Sequence, residues 1–132
     1  MYIFFLKNLE SFLCYFQIET VKFLLSKGAN VNAPDRDNIA PLHEAISLKN
    51  GSEEIVNVLL KNDAVVNVRN KWGKSPLHTA ADQTDYDNTE VVNLLLENNA
   101  DVDAKDEEGE TPLMHAVSSN NVKVTELLIK AG

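Results

Sequence analysis

The chain has 132 residues, enough for one domain with a sizeable core, and its 44% hydrophobic and 24% charged residues are ordinary for a globular protein. Twelve Lys and Arg against 20 Asp and Glu give a formal charge of −8, which argues against nucleic acid or an anionic membrane surface as partner. A single cysteine, Cys14, excludes an internal disulfide framework and favours a reducing compartment, the cytoplasm or the nucleus.

The first segment, Met1 to Gln17, is the most aromatic stretch of the chain. Its apolar run, Tyr2 to Leu6, is cut by Lys7, Asn8 and Glu10. That is too short for a signal peptide and far below the roughly 20 apolar residues of a transmembrane helix. A degenerate terminal element that packs its aromatics on the rest is expected. Cys14 sits among Phe12, Leu13, Tyr15 and Phe16, where nothing would hold a thiolate.

Next comes Phe23-Leu24-Leu25-Ser26-Lys27-Gly28, a helix end closed by glycine, followed by Ala29-Asn30-Val31-Asn32-Ala33. From there the chain repeats itself. Ala40-Pro41-Leu42-His43-Glu44-Ala45, Ser75-Pro76-Leu77-His78-Thr79-Ala80 and Thr111-Pro112-Leu113-Met114-His115-Ala116 align, as do the Leu-rich segments ending at Gly28, Asp63, Asn99 and Gly132. Proline suits the first position of a helix, because its missing N–H has no intrahelical partner there. Ser75 and Thr111 are expected to cap those helices; Ala40 cannot, at a cost of about 1 kcal/mol. Gly73, Gly109 and Asn38 stand where a hairpin turn needs a left-handed residue, and Asp63 and Asn99 take the helix-ending place of Gly28.

The two registers locate the length variation. Gly28 to Pro41, Asp63 to Pro76 and Asn99 to Pro112 are equal spacings, so the hairpins are constant. The extra residues lie between paired helices, near Asn50-Gly51 and near Asp85-Tyr86-Asp87. A stacked array tolerates bulges there but not at the joints between repeats. The second helices are amphipathic, with Val56, Leu59 and Leu60 on one face and Val92, Leu95 and Leu96 on the next, so each repeat covers its neighbour.

Over about residues 18–132 this pattern resembles the ankyrin repeat, whose signature is Thr-Pro-Leu-His-x-Ala at a period near 33. The resemblance implies an all-α solenoid of stacked helix-turn-helix repeats joined by β-hairpin fingers. It implies a single array over residues 1–132: a degenerate repeat at about 1–33, full repeats at 34–68 and 69–104, and a last repeat at 105–132 ending with its second helix. Lys7-Asn8-Leu9-Glu10 stands where a proline signature should be, and Leu127-Leu128-Ile129 runs to Gly132 without a polar capping repeat. Weak self-association through uncapped ends is therefore expected.

Chemistry is hard to find. In the family the signature His ties its turn to the neighbouring repeat, which assigns His43 and His78; in the third signature Met114 holds that slot and His115 is displaced by one. One repeat apart, about 10 Å by helix packing distance, His43 and His78 are too far apart to share a metal. Asp82, Asp85, Asp87 and Glu90 lack the spacing of a calcium loop and read as a solvated acidic loop. Asn50-Gly51-Ser52 fits a glycosylation triplet, which matters only in the secretory pathway. No nucleophile–base arrangement, phosphate loop or cofactor pattern is present, so no enzyme, cofactor or metal is expected.

The resemblance implies a concave recognition surface of hairpin tips and inner-helix ends. By position the tips are Arg36, Asp37 and Ile39; Lys71, Trp72 and Lys74; and Glu107, Glu108 and Glu110. Ser47, Leu48, Asp82, Gln83, Ser118 and Ser119 end the inner helices. The surface then grades from mixed, through cationic with an aromatic, to acidic. Trp72 is read as a binding anchor or as a side chain packed on a neighbouring finger. The expected function is non-catalytic recognition of another protein; the alternative is an adaptor or regulatory fragment of a larger signalling or effector protein.

Overall fold

The computed structural model describes residues 18–48 and 52–132. The aromatic segment with Cys14 and the bulge with its glycosylation triplet at 50–52 fall wholly or in part outside the described residues. Among the described residues seven helices follow one another: α1 (Ile18–Ser26), α2 (Pro41–Ile46), α3 (Ser52–Lys61), α4 (Pro76–Asp82), α5 (Thr89–Glu97), α6 (Pro112–Ser118) and α7 (Val122–Ala131). Helices α2, α4 and α6 stack in sequence as one layer; α1, α3, α5 and α7 stack as a second. Pairing of α2 with α3, α4 with α5 and α6 with α7 joins the layers.

The core lies between the layers. Leu42, Ile46, Val56, Leu77, Val92, Leu95, Val124 and Leu128 are buried there. Each fully buried aliphatic side chain contributes about 1.5–3 kcal/mol. Ala45, Ala80 and Ala116 are completely buried one turn into the short helices, where a larger side chain would force the helices apart.

The prolines open α2, α4 and α6 as expected, but capping follows a different rule. Thr111 Oγ1 accepts from the Met114 N–H at 3.4 Å. Ser75 does not cap in this way: its hydroxyl donates to His78 Nδ1 at 2.8 Å, and its N–H donates to the same nitrogen at 3.1 Å. The Ala40 N–H likewise donates to His43 Nδ1 at 3.2 Å. The signature imidazole thus reaches back to the start of its own helix and satisfies a donor that the preceding side chain leaves free.

Among the described residues no strand forms, and the fingers are tight turns. Each is closed by one wide backbone bond, Asp35 N–H to Ile39 O, Asn70 N–H to Lys74 O and Asp106 N–H to Glu110 O, around a narrower one donated by the N–H of Asn38, Gly73 or Gly109 to the O of Asp35, Asn70 or Asp106. Those three tip residues have φ of 57°, 70° and 79°, the left-handed conformation expected of them. At the base of each finger an acidic or amide oxygen braces the turn. Asp35 Oδ1 accepts from Asp37 and Ile39, Asn70 Oδ1 from Trp72 and Lys74, and Asp106 Oδ1 from Glu108 and Glu110. With so short a span, side-chain bracing replaces the ladder of a longer hairpin.

The helix ends also match the sequence reading. Gly28, Asp63 and Asn99 have φ of 85°, 65° and 64°. The following N–H groups of Ala29, Ala64 and Ala100 bond five residues back, to Leu24, Leu59 and Leu95, which is the Schellman closure.

Candidate functional site

The three fingers stand side by side and are cross-linked. Lys71 N–H donates to Asp37 O at 2.9 Å, and Glu107 N–H donates to Trp72 O at 3.1 Å. Arg69 extends the second link: its guanidinium donates to Gly73 O at 2.7 Å and to Lys105 O at 2.8 Å. The middle and last fingers approach so closely at Gly73 that a Cβ there would lie 2.9 Å from the Glu107 nitrogen. The φ favours glycine here, though Asn38 adopts 57° at the equivalent place, and the close contact excludes a Cβ unless the fingers shift.

Behind the fingers the signature histidines join the repeats. Nε2 of His43 faces Lys74 O at 3.0 Å, and Nε2 of His78 faces Glu110 O at 3.0 Å. Because Nδ1 of each accepts, the proton is on Nε2 and both rings are neutral. Burial lowers both pKa values, and the carbonyl bonds only partly oppose it.

His115 behaves differently, and its sequence neighbourhood did not reveal how. Its Nδ1 donates to Asp82 Oδ1 at 2.7 Å and its Nε2 to Asp106 Oδ2 at 2.8 Å. A ring bonded through both nitrogens to carboxylates is an imidazolium. Burial pulls its pKa down, but the hydrogen bonds to Asp106 and Asp82 outweigh that and raise it. Burial would raise the Asp106 pKa; His115 and the N–H groups of Glu110 and Glu108 bring it below the usual value. The displaced histidine therefore builds a charged link between the last two repeats.

His78 and His115 meet edge to face with ring centroids 5.2 Å apart, and donor atoms of His78, Asp106 and His115 lie within 4.8 Å of one another. That is close enough for a metal set. Yet both nitrogens of each ring are bound in hydrogen bonds that hold turns or repeats together, so these donors are committed to structure.

The tip residues divide by what they touch. Lys71 Nζ bonds Asp37 at 2.8 Å and lies 4.4 Å from the Trp72 ring centroid. Lys74 Nζ bonds Asp82 at 3.1 Å. The middle finger is thus less cationic than its sequence suggests, because both ammonium groups are matched by carboxylates. Asp82 has both oxygens engaged, one by Lys74 and one by His115. Gln83 presents its carbonyl to the Asn121 amide at 2.7 Å. Arg36, Glu107 and Glu108 are exposed, while Asp37, Ile39 and Glu110 are half-buried. Trp72 is 46% exposed. The carboxylates of Glu107 and Glu108 meet no cation or donor among the described residues.

The acidic loop between α4 and α5 is more than a solvated stretch. Asp87 accepts from Lys123 and from Thr89, which hold its pKa down to about 2. The Tyr86 hydroxyl donates to Ile46 O, and the Asn88 amide to Ala80 O. The loop latches onto the repeats on either side.

No helix among the described residues is long and apolar enough to cross a membrane. A family model of ankyrin repeats matches residues 11–70 and 42–132. The chain is similar to human transient receptor potential cation channel subfamily A member 1, at 33% identity over 49% of this chain and 9% of that protein. It is similar to human Rabankyrin-5, at 43% identity over 47% of this chain and 5% of that protein. It is also similar to an ankyrin repeat protein of Fowlpox virus, at 38% identity over 52% of this chain and 21% of that protein. The chain thus spans about a fifth or less of the length of these curated relatives. Ankyrin repeats are in general protein–protein interaction modules and typically non-catalytic. The repeat register, the histidine ties and the match over most of the chain lead to one conclusion: this protein belongs to the ankyrin-repeat family.

Proposed function

We propose that the array is a non-catalytic recognition module that binds another protein along its row of finger tips, with Trp72, Glu107 and Glu108 as its principal contacts. The observation that carries this reading is Trp72 itself. A large aromatic side chain is 46% exposed on a finger whose backbone is locked on both sides, so it is presented rigidly. Rigid aromatic anchors dominate many protein interfaces, since little rotamer entropy is lost when they are covered. Arg36 on the first finger and Glu107 and Glu108 on the last widen the surface and give it charge asymmetry.

A second reading sets the same surface within a larger adaptor or regulatory protein. The relatives are many times longer than this chain, which supports a recognition part serving other domains. Weak self-association through apolar repeat ends is part of the proposal for the chain on its own. The test is site-specific photo-cross-linking in an extract of expressing cells, with benzoylphenylalanine replacing Arg36 or Lys105 beside the finger tips, or Glu90 on α5 in the other helix layer, all exposed. Partner adducts from the two finger positions and none from position 90 are expected. Equal adduct yields at all three, or adducts from position 90 alone, would overturn the reading.

A further inference from the structure

An open groove of about 400 Å³ separates the middle and last fingers, lined by Asn70, Trp72, Lys74, Asp106, Glu107 and Glu108. Most of its polar groups are committed. Asn70 Oδ1 and Asp106 Oδ1 brace their turns, Asp106 Oδ2 holds His115, and the Lys74 ammonium is drawn to Asp82. What remains is the two carboxylates of Glu107 and Glu108 and the part of the Trp72 indole that lines the groove. Lys71, pinned by Asp37, lies over the same indole at 4.4 Å and is not among the groove-lining residues.

The charge balance follows from these pairings. Lys71, Lys74 and His115 are answered by Asp37, Asp82 and Asp106. Glu107 and Glu108 are answered by nothing among the described residues, in a chain of net charge −8. An aromatic face with two uncompensated carboxylates beside it attracts a cation that is flat and weakly hydrated. Guanidinium has both properties: it stacks on indole and binds carboxylate through two parallel N–H groups. An ammonium is more strongly hydrated and has no plane to stack.

We infer that the groove between the middle and last fingers is a seat for an arginine side chain of the partner protein, stacked on Trp72 and paired with Glu107 and Glu108. This rests on the finger surface being the recognition face, and it names the chemistry that face selects. The backbone bond from Glu107 N–H to Trp72 O fixes the spacing of the two finger backbones that carry the indole and the carboxylates, so part of the ordering cost is met before anything binds.

The experiment titrates the full chain with acetyl-Gly-Arg-Gly-amide and follows the amide and indole NMR signals. The protein has one Trp, so its indole N–H resonance reports on Trp72 alone. The Arg tripeptide is expected to shift that resonance and the amides of Glu107 and Glu108 saturably, with a Kd of about 1–50 mM, the weak range of a single side chain. The Lys tripeptide should bind several-fold more weakly, and the uncharged citrulline tripeptide should give no saturable shift. Glu107→Gln with Glu108→Gln, both at exposed positions, should weaken the Arg tripeptide about tenfold while leaving the spectrum folded. Absence of a saturable shift, equal shifts from citrulline, or indifference to the double substitution would overturn the proposal. If finger-specific cross-links persist in that case, only the arginine seat falls; if they vanish too, the finger surface falls with it.

Discussion

His115 and Asp82 meet across the boundary between the last two repeats, with Nδ1–H donating to Oδ1 at 2.7 Å. Asp82 also receives Lys74, and His115 also donates to Asp106, so four charged side chains clamp α4, α6 and two fingers together. At the preceding joint the task falls to the neutral imidazole of His43 and a carbonyl alone, and at this last joint His78 adds a second neutral tie of the same kind. The last joint is therefore the one that gains strength from a protonated histidine.

That difference sets the pH dependence of stability. A histidine whose folded pKa is raised stabilises fully below its unfolded value of about 6.5 and loses that contribution as pH rises through the folded pKa. This is the His115 case. His43 and His78, with lowered pKa values, contribute fully above about 6.5 and lose stability as pH falls. Urea melts are expected to show a maximum near pH 6.5, roughly the unfolded histidine pKa, as far as the histidines decide it. His115→Gln should abolish the decline on the alkaline side and keep the acid limb. An unchanged alkaline limb in that variant would show that the clamp carries no charge.

Strain at the helix ends gives a second prediction. Asp63 has a φ of 65° and is exposed, at a place where Gly28 serves the first repeat. Asp63→Gly should stabilise by about 0.5–1 kcal/mol, the relief of a left-handed Cβ less the added entropy of the unfolded chain. Asn99→Gly should gain less, since Asn tolerates that conformation better. A loss of stability in Asp63→Gly melts would count against strain at this end.

Two glycines separate backbone strain from finger contact. Gly109 has a φ of 79°, and a Cβ added there would meet nothing within 4 Å, whereas Gly73 at 70° would place its Cβ against Glu107. Gly109→Ala should cost about 1 kcal/mol and Gly73→Ala about 2–3 kcal/mol, the excess being the forced separation of the fingers. Equal costs in denaturant melts would mean that the fingers part without penalty.

The far face of the last repeat leads to a prediction about association. Val117 is 60% exposed, although Ile46 and Ala81 at the equivalent positions are fully buried by a following repeat. Met114 and Ile129 are also exposed, at 52% and 62%. The 132-residue chain should sediment faster as its concentration rises, and Val117→Asn with Ile129→Lys should remove that dependence. A concentration-independent monomer in the unsubstituted chain would rule this out.

Much of the architecture was legible from residue order because repeats make local rules recur. Pro41, Pro76 and Pro112 mark helix starts through φ restriction, and Gly28, Asp63 and Asn99 mark helix ends through the left-handed turn. Both are properties of a few consecutive residues. The place of Trp72 at a finger tip followed as well, since Asp37 and Glu108 occupy the same place in sister fingers, while its 46% exposure came from the structure. Which cations would be neutralised did not follow. Lys71 with Asp37 and His115 with Asp82 are separated by more than thirty residues and meet only when one repeat is laid on the next. The role of His115 was hidden for a geometric reason. A displacement of one residue turns a helical side chain by roughly 100°, away from a following repeat and toward Asp82 and Asp106. Local conformation is written in the chain one turn at a time, whereas charge pairing is decided by stacking, because electrostatic contacts depend on distances that only the packed array defines.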